Sequence, residues 1–367
     1  MDKYFYFDDI FEDYTKYSLK ISKNLYLKSG LYPIIDQGKE EIAGYSDKNI
    51  NIFDKIPVII FGDHTRIFKY VDYPFFSGAD GVKILKNTSS LFLDKYLYYS
   101  LKNFKIPNTG YNRHFKWLKD FKIKYISLAK QEKIVSLIEK IKYFILKKKE
   151  QLKYLKKLNK SLFTTMFGDI KTNDKNWEII KLEKYINIIG GYAFKNTDFK
   201  SKGIPLIRIG NINSGHFKNT NLVFIEENQK LEKFKVFPND IIISLTGTVG
   251  KDDYGNVCIL GDSYSEYYLN QRNAKLVLTD KIDKNFFLEI IKIKEVKKQL
   301  TGVSRGIRQA NISNRDIYNL SFPLPPIELQ NKFAKRVEKI EKLSFEIEKS
   351  IKEAENLYNS LISKYFD

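Results

Sequence analysis

The sequence of 367 residues contains one cysteine, Cys258, so no disulfide framework can hold it. Its three histidines, His64, His114 and His216, stand far apart. With a single cysteine they offer no metal-ligand spacing. No run approaches the ~20 apolar residues of a membrane span. The opening Met1-Asp2-Lys3-Tyr4-Phe5 lacks the layout of a secretory leader, because Asp8, Asp9, Glu12 and Asp13 soon break it. A cytoplasmic protein without membrane contact is the expectation. Nucleotide and methyl-donor motifs are missing too. Gly247-Thr248-Val249-Gly250-Lys251 has a P-loop ending, but two residues separate its glycines where four are needed, and Asp252 follows. Pro325-Pro326-Ile327 is preceded by Leu324, where a methyltransferase motif needs Asn or Asp. No acid–base or nucleophile constellation stands out, so no catalytic residues are expected.

What is present is basic charge. The formal net charge is +19, a balance that attracts polyanions. Lysine, asparagine, isoleucine and tyrosine are all enriched, as coding in an AT-rich genome produces, so charge alone does not decide the partner. Its distribution says more: residues 1–126 carry +5, 127–170 carry +7, 171–322 carry +7, and 323–367 are neutral.

An internal repeat sets the architecture. Gln131-Glu132-Lys133-Ile134-Val135 aligns with Gln330-Asn331-Lys332-Phe333-Ala334 at an offset of 199, and Phe167 aligns with Phe366. Each copy carries heptads. One core position reads Ile134, Ile141, Lys148, Leu155 and Leu162, against Phe333, Ile340, Ile347, Ala354 and Leu361. The other reads Ile138, Ile145, Leu152, Asn159 and Met166, against Val337, Ser344, Ile351, Tyr358 and Tyr365. Five heptads without Gly or Pro predict a long helix with one apolar seam, about 33 residues and roughly 50 Å. Packing the two seams together buries both, with Lys148, Asn159 and Ser344 as polar interruptions that fix register. Packing on its own globule or on a second chain is the alternative for each helix. Pro323-Leu324-Pro325-Pro326 precedes the second helix, and Gly168 stops the first.

Between the helices the character changes. Ile204-Pro205-Leu206-Ile207-Arg208-Ile209, residues 240–245 and residues 274–278 read as short buried strands. Residues 55–61 and 81–85 do the same in the first segment. The fold class is α+β: two globules of mixed sheet and helices, joined by two long helices forming an antiparallel coiled coil, pseudo-two-fold symmetric. The expected segments are 1–127, 128–170, 171–323 and 324–367, alternating globule and helix.

The repeat copies, above all Leu320-Ser321-Phe322-Pro323-Leu324-Pro325-Pro326-Ile327-Glu328-Leu329-Gln330, resemble the specificity subunits of type I restriction–modification systems. So do Phe61-Gly62-Asp63-His64-Thr65-Arg66 and residues 110–118 in the first globule. Residues 190–195, 208–212 and 245–250 do so in the second. The resemblance covers essentially the whole chain. One departure is Ile126-Ser127-Leu128-Ala129, which stands where the second copy has its proline run. The resemblance implies two target-recognition domains that each read half of a split site in double-stranded DNA, with the helices as spacer. It implies DNA methyltransferase subunits as partners, two of them, carrying S-adenosylmethionine, and restriction subunits carrying ATP and Mg in the full complex. No cofactor or metal is expected on this chain. A coiled-coil scaffold that never touches DNA is the alternative.

Base reading needs planar, multi-donor side chains on positioned loops. Only eight arginines occur, and six of those in the globules stand out as candidates: Arg66, Arg113, Arg208, Arg272, Arg305 and Arg308. Arginine retained amid so much lysine suggests that its fork geometry matters. The richest stretch is Gly302–Asn311, with Ser304, Arg305, Arg308, Gln309 and Asn311. Its counterpart in the first globule holds Asn108, Thr109, Tyr111, Asn112, Arg113, His114 and, just after, Lys116. Further candidates are Asp63, His64, Thr65 and Arg66 in one loop. In the second globule they are Lys195, Arg208, Asn211, Thr246, Thr248, Lys251, Gln271 and Arg272. Intradomain salt bridges and simple turns are the competing explanation for each. Lys147-Lys148-Lys149 and Lys153, Lys156, Lys157 and Lys160 form a basic run that suits phosphates or plain solvent.

Overall fold

Leu128–Phe167 and Ile327–Phe366 are each one uninterrupted helix of 40 residues in the computed structural model, which describes residues 3–78, 80–110, 112–301 and 309–366. Each spans about 60 Å at ~1.5 Å per residue, longer than the heptads alone imply. Their boundaries differ by 199 at both ends, the offset of the sequence repeat. The starts match as well. Gln131 N donates to Ser127 O at 3.0 Å, and Gln330 N donates to Pro326 O at 3.1 Å. Ser127 thus does the work of the missing proline, since serine suits a helix start as well as proline does.

The chain divides into two compact units. One comprises Met1–Gln151 with Ile347–Asp367, the other Leu152–Glu346. Each unit therefore holds a globule with half of each helix, rather than separating helices from globules. Within each unit the halves run antiparallel. In the first unit Lys149 Nζ meets Glu355 Oε1 at 2.8 Å, and Ile134 and Ile138 share a core with Ile362, Tyr365 and Phe366. In the second, Phe163 and Phe167 pack edge-on against Phe333, with ring centroids 5.5 and 5.1 Å apart.

Every predicted seam residue is buried or half-buried: Ile134, Ile138, Ile141 and Ile145 in the first-unit half of the first helix, Leu152, Leu155 and Leu162 in its second-unit half. The same holds for Phe333, Val337, Ile340, Ile347, Ile351 and Leu361 on the second helix, and for the polar members Lys148, Asn159 and Ser344. Where the helices meet the globules the buried face widens to take in Phe163 and Phe167, which a two-position heptad does not include.

The globules share one topology, which the sequence did not reveal. In the first unit the strands Phe11–Asp13, Val82–Asn87, Val58–Gly62 and Phe68–Val71 lie side by side in that order, all antiparallel. In the second, Ile186–Gly190, Asn273–Leu278, Ile241–Ser244 and Val257–Ile259 repeat the order and the pairing. A smaller sheet repeats too. Tyr32–Ile35 pairs antiparallel with Gly44–Ser46 and parallel with Phe76–Ser77. Ile204–Ile207 does the same with Val223–Ile225 and Tyr267–Leu269. The central strands Val58–Gly62 and Ile241–Ser244 are buried along their length, as expected of apolar runs covered on both faces.

A glutamine ties each helix to its globule. Gln131 is fully buried; its Oε1 accepts from Leu93 N at 2.8 Å, and its Nε2 donates to Leu91 O and Ile126 O, both at 2.8 Å. Gln330 repeats the set: Oε1 accepts from Asp283 N at 2.8 Å, and Nε2 donates to Lys281 O at 3.2 Å and Pro325 O at 2.7 Å. Gln131→Ala strands one buried donor and two buried acceptors, and should cost about 3 kcal/mol. Hydrogen-exchange mass spectrometry should show faster exchange in the first unit's helix halves, with residues 152–346 little changed. Uniform loss across the chain would show that the anchor is not local.

Candidate nucleic-acid interface

In both units the loop after the central buried strand meets the loop before the last ribbon strand. In the first, His114 N donates to Asp63 O at 2.9 Å and to Asp63 Oδ1 at 2.7 Å, and Phe115 N reaches the same oxygen at 2.7 Å. In the second, Ile312 N donates to Leu245 O at 2.8 Å, and strand Thr246–Thr248 pairs with Gln309–Asn311. Among the described residues, Gln309–Ile312 in the second unit thus meet the chain after the central strand, as His114 and Phe115 do in the first.

Geometry divides the candidates. Asp63 and His114 are buried, and the His114 Nδ1 lies 2.9 Å from the Asp63 carbonyl oxygen. They clamp two loops together, so neither side chain has a surface to offer a base edge. Asn211 is buried in the same way. Its Oδ1 accepts from Arg208 N at 3.0 Å, and its Nδ2 donates to Lys218 O and Thr220 O at 3.0 and 3.1 Å. It folds the 208–220 loop back on itself. Thr65 is exposed but donates to Gln37 O at 2.6 Å, and the Gln37 side chain also accepts from His64 N at 3.2 Å. Gln37 is a loop-organising residue that sequence reasoning missed, and nothing in its surroundings marks it.

Around these clamps the remaining candidates lie at the surface. In the first unit Arg66 sits half-exposed in a tight turn with φ of 60°, the left-handed conformation rare for residues other than glycine. Asn108, Thr109, Asn112, Arg113 and Lys116 are exposed. Thr109 Oγ1 lies 3.3 Å from His114 Nε2, and Lys116 Nζ sits 5.2 Å from the Trp117 ring. Tyr111, Ser304, Arg305 and Arg308 lie outside the described residues, as does the side chain of Gln309.

In the second unit the fold gathers residues distant in sequence. A cleft of about 630 Å³ is lined by Phe199, Arg208, Lys218, Asn221, Gln271 and Arg272, among others. Arg272 also borders a neighbouring concavity with Thr246, Thr248 and Asp253. Arg208 is braced there: its Nη2 donates to Asn221 O at 2.9 Å, and its guanidinium stands 5.7 Å from the Phe199 ring. Arg272 is exposed, and its guanidinium makes no hydrogen bond or ion pair among the described residues. Lys195, Lys251 and Asn311 are exposed outside these hollows. Where Arg208 follows Ile207, the first unit has Asp36 after Ile35, paired with the buried Lys69 at 3.7 Å. Burial lowers the Lys69 pKa, with Asp36 opposing the shift. The two globules thus carry different charge on the same framework.

A family model for the type I restriction modification DNA specificity domain matches residues 174–355. The chain is 26% identical over 293 residues to the type I restriction enzyme MjaVIII specificity subunit of Methanocaldococcus jannaschii, covering 73% of this chain and 68% of that protein. It is 22% identical over 351 residues to the EcoR124I/EcoR124II specificity subunit of Escherichia coli, covering 91% and 85%. The chain belongs to the type I restriction–modification specificity-subunit family. The fold agrees: a solved S subunit from M. genitalium superposes with a TM-score of 0.64 at 18% identity, over 100% of this chain and 96% of that one. Membership in this specificity family accounts for the repeat, the paired helices and the basic globules together.

Among the described residues no group of three or more His, Cys, Asp or Glu is placed to hold a metal ion, and no helix is long and apolar enough to cross a membrane. Cys258 is buried in strand Val257–Ile259 of the specificity chain, and burial pushes its pKa up to about 12. At pH 8 the native protein should leave a thiol reagent such as Ellman's unreacted and become reactive when unfolded in urea. Rapid labelling of native protein would show that the second unit opens readily.

Proposed function

We propose that the chain is the address-reading subunit of a type I restriction–modification complex. It reads a split sequence in double-stranded DNA and presents it to methyltransferase and restriction subunits that do the chemistry. The observation that carries this is one framework used twice, with different side chains at the same two loops. A single duplicated surface would read the same half-site twice; divergence at the loops gives each half its own sequence. The long helices act as the spacer between the halves. The reading needs no catalytic residue on this chain. S-adenosylmethionine belongs on the methyltransferase partners, two of them in the proposed assembly, and ATP with Mg on the restriction partner. A cytoplasmic location fits such an assembly.

Of the surface candidates, Arg272 is the strongest base reader, being a fork with no hydrogen bond or ion pair among the described residues, at the border of two hollows. Such a fork suits the O6 and N7 edge of guanine, at about 1–3 kcal/mol of discrimination per bidentate pair. Arg208 is already held by Asn221 and Phe199, so it contributes a fixed charge to the cleft wall. The exposed lysines of the first helix serve the phosphates. Lys149 is held by Glu355, and Lys147 lies 2.9 Å from Glu150, which leaves Lys153, Lys156, Lys157 and Lys160 as the better backbone contacts.

The test is the methylation motif produced in a methylation-free host by this chain with the methyltransferase encoded beside it. Two short defined halves around an unspecified gap, absent without this chain, are expected. Methylation at no motif by a soluble, associated pair would favour a scaffold instead. Arg272→Ala should relax one position of one half and leave the other half intact; an unchanged motif would remove Arg272 from the reading set. Replacing Lys153, Lys156, Lys157 and Lys160 with Gln should weaken binding to all sequences alike and flatten its salt dependence. A changed motif in that variant would refute the backbone role.

A further inference from the structure

The two units are built alike at one more junction, and there their charges are opposite. In each, a short connection runs from the smaller sheet, after Phe76–Ser77 or Tyr267–Leu269, into the sheet of the central strand. Its start is bonded the same way in both: Gly78 N donates to Ile35 O at 2.7 Å, and Asn270 N to Ile207 O at 3.1 Å. So is its end: Asp63 N donates to Gly81 O at 2.8 Å, and Leu245 N to Arg272 O at 2.9 Å. The connection is thus residues 78–81 in the first unit and 270–272 in the second, one residue shorter. Its end meets the clamp between the loops, since Asp63 O also accepts from His114 N and Leu245 O from Ile312 N.

Arg272 fills the last place of its connection. In the first unit that place is Gly81, where φ is 87° and a Cβ would lie 2.6 Å from the Gln37 amide nitrogen. That amide is already engaged, donating to Asp80 O at 3.1 Å and accepting from His64 N at 3.2 Å. A side chain at Gly81 would displace it and strain the backbone, so the connection presents Asp80 instead. In the second unit Ile209 stands where Gln37 does, two residues past the paired strand, and lines both hollows together with Arg272. The backbone at Asp80 is held through its own carbonyl and through that of Gly81, while its side chain is 96% exposed. Lys20 Nζ lies 3.6 Å from the carboxylate and is itself exposed, a pairing that solvent screens. The inversion is the second on this framework, after Asp36 against Arg208.

We propose that Asp80 is a specificity-determining residue of the first unit, accepting a hydrogen bond from the 4-amino group of a cytosine in the major groove. This rests on the reading of the chain as the address-reading subunit. An ionised carboxylate only accepts. Guanine offers N7 and O6 in the major groove and thymine offers O4, all acceptors, which repel it. Cytosine and adenine each offer an amino group. Adenine sets the N7 lone pair beside that group, whereas cytosine sets a C–H there, so cytosine suits both carboxylate oxygens. Arginine at the same junction of the second unit asks for the opposite pattern, the paired acceptors of guanine. One junction thus gives the two half-sites different bases by the sign of one side chain.

The experiment compares the methylation motifs written in a methylation-free host by the full chain, by Asp80→Ala and by Asp80→Asn, each with the methyltransferase encoded beside it. Asp80→Ala should relax a single position of one half, where the parent requires a C·G pair, and leave the other half intact. Asp80→Asn should move that position toward adenine. With purified complexes, replacing that cytosine should weaken duplex binding by the parent at least about fivefold and by the alanine variant less than about twofold. The side chain is exposed, so both variants should keep the parent circular dichroism spectrum and its methyltransferase. A split parent motif that survives Asp80→Ala unaltered overturns the proposal and leaves the address reading standing. So does relaxation at an A·T pair, or uniform loss of methylation at every site by a folded, associated variant. A parent that writes no motif removes the address reading, and the assignment of Asp80 falls with it.

Discussion

Two buried amides, those of Gln131 and Gln330, hold this molecule together at its most demanding points. A long helix with a narrow apolar seam can roll, and a small globule beside it has few ways to stop the rolling. A glutamine that bonds three backbone groups of the globule fixes both the rotation and the height of the helix where it begins. The same three partners recur at both helix starts, on backbone that the sequence repeat covers only in part. Everything further out depends on this joint. The seam residues meet their partners only if both helices are set at the right angle, and the reading loops sit at a defined height only if the sheet beneath them is fixed to the helix.

The reading loops follow the same physical logic on a smaller scale. Asp63 with His114, and Asn211 with the carbonyls of Lys218 and Thr220, spend their hydrogen-bonding capacity inside the protein. A buried polar group must be satisfied, and once satisfied it fixes what it bonds. The residues next to these clamps, half-exposed Arg66 and exposed Arg113 and Arg272, are therefore presented from backbone that is already ordered. Less freedom is then lost when a ligand arrives.

The helices were legible in the sequence because a heptad repeat is a statement about burial, and all its positions, including Lys148, Asn159 and Ser344, lie on the covered face. The central strands were legible for a similar reason, being continuous apolar runs. The candidate interface was legible only in part. Asp63, His114 and Asn211 have the side chains that suit base edges, but the same donors and acceptors suit internal carbonyls and amides, and sequence alone does not tell inside from outside. Gln131 and Gln330 opened the two repeat copies in plain view, yet two of the three bonds of each go to backbone 38 to 49 residues away. The shared topology of the globules was hidden because their surfaces and much of their core diverged while the pairing order stayed.

The coincidence of the two helix starts carries an evolutionary consequence. Each globule is closed by the same joint, so a stretch of gene running from one joint to the next encodes a cartridge of one globule with its own anchor, which still shares both helices with the other half. Recombination that falls within the repeat exchanges one cartridge without disturbing the fit of the other. A lineage can therefore acquire a new combination of half-sites in a single crossover, where drift would have to rebuild a reading surface one residue at a time.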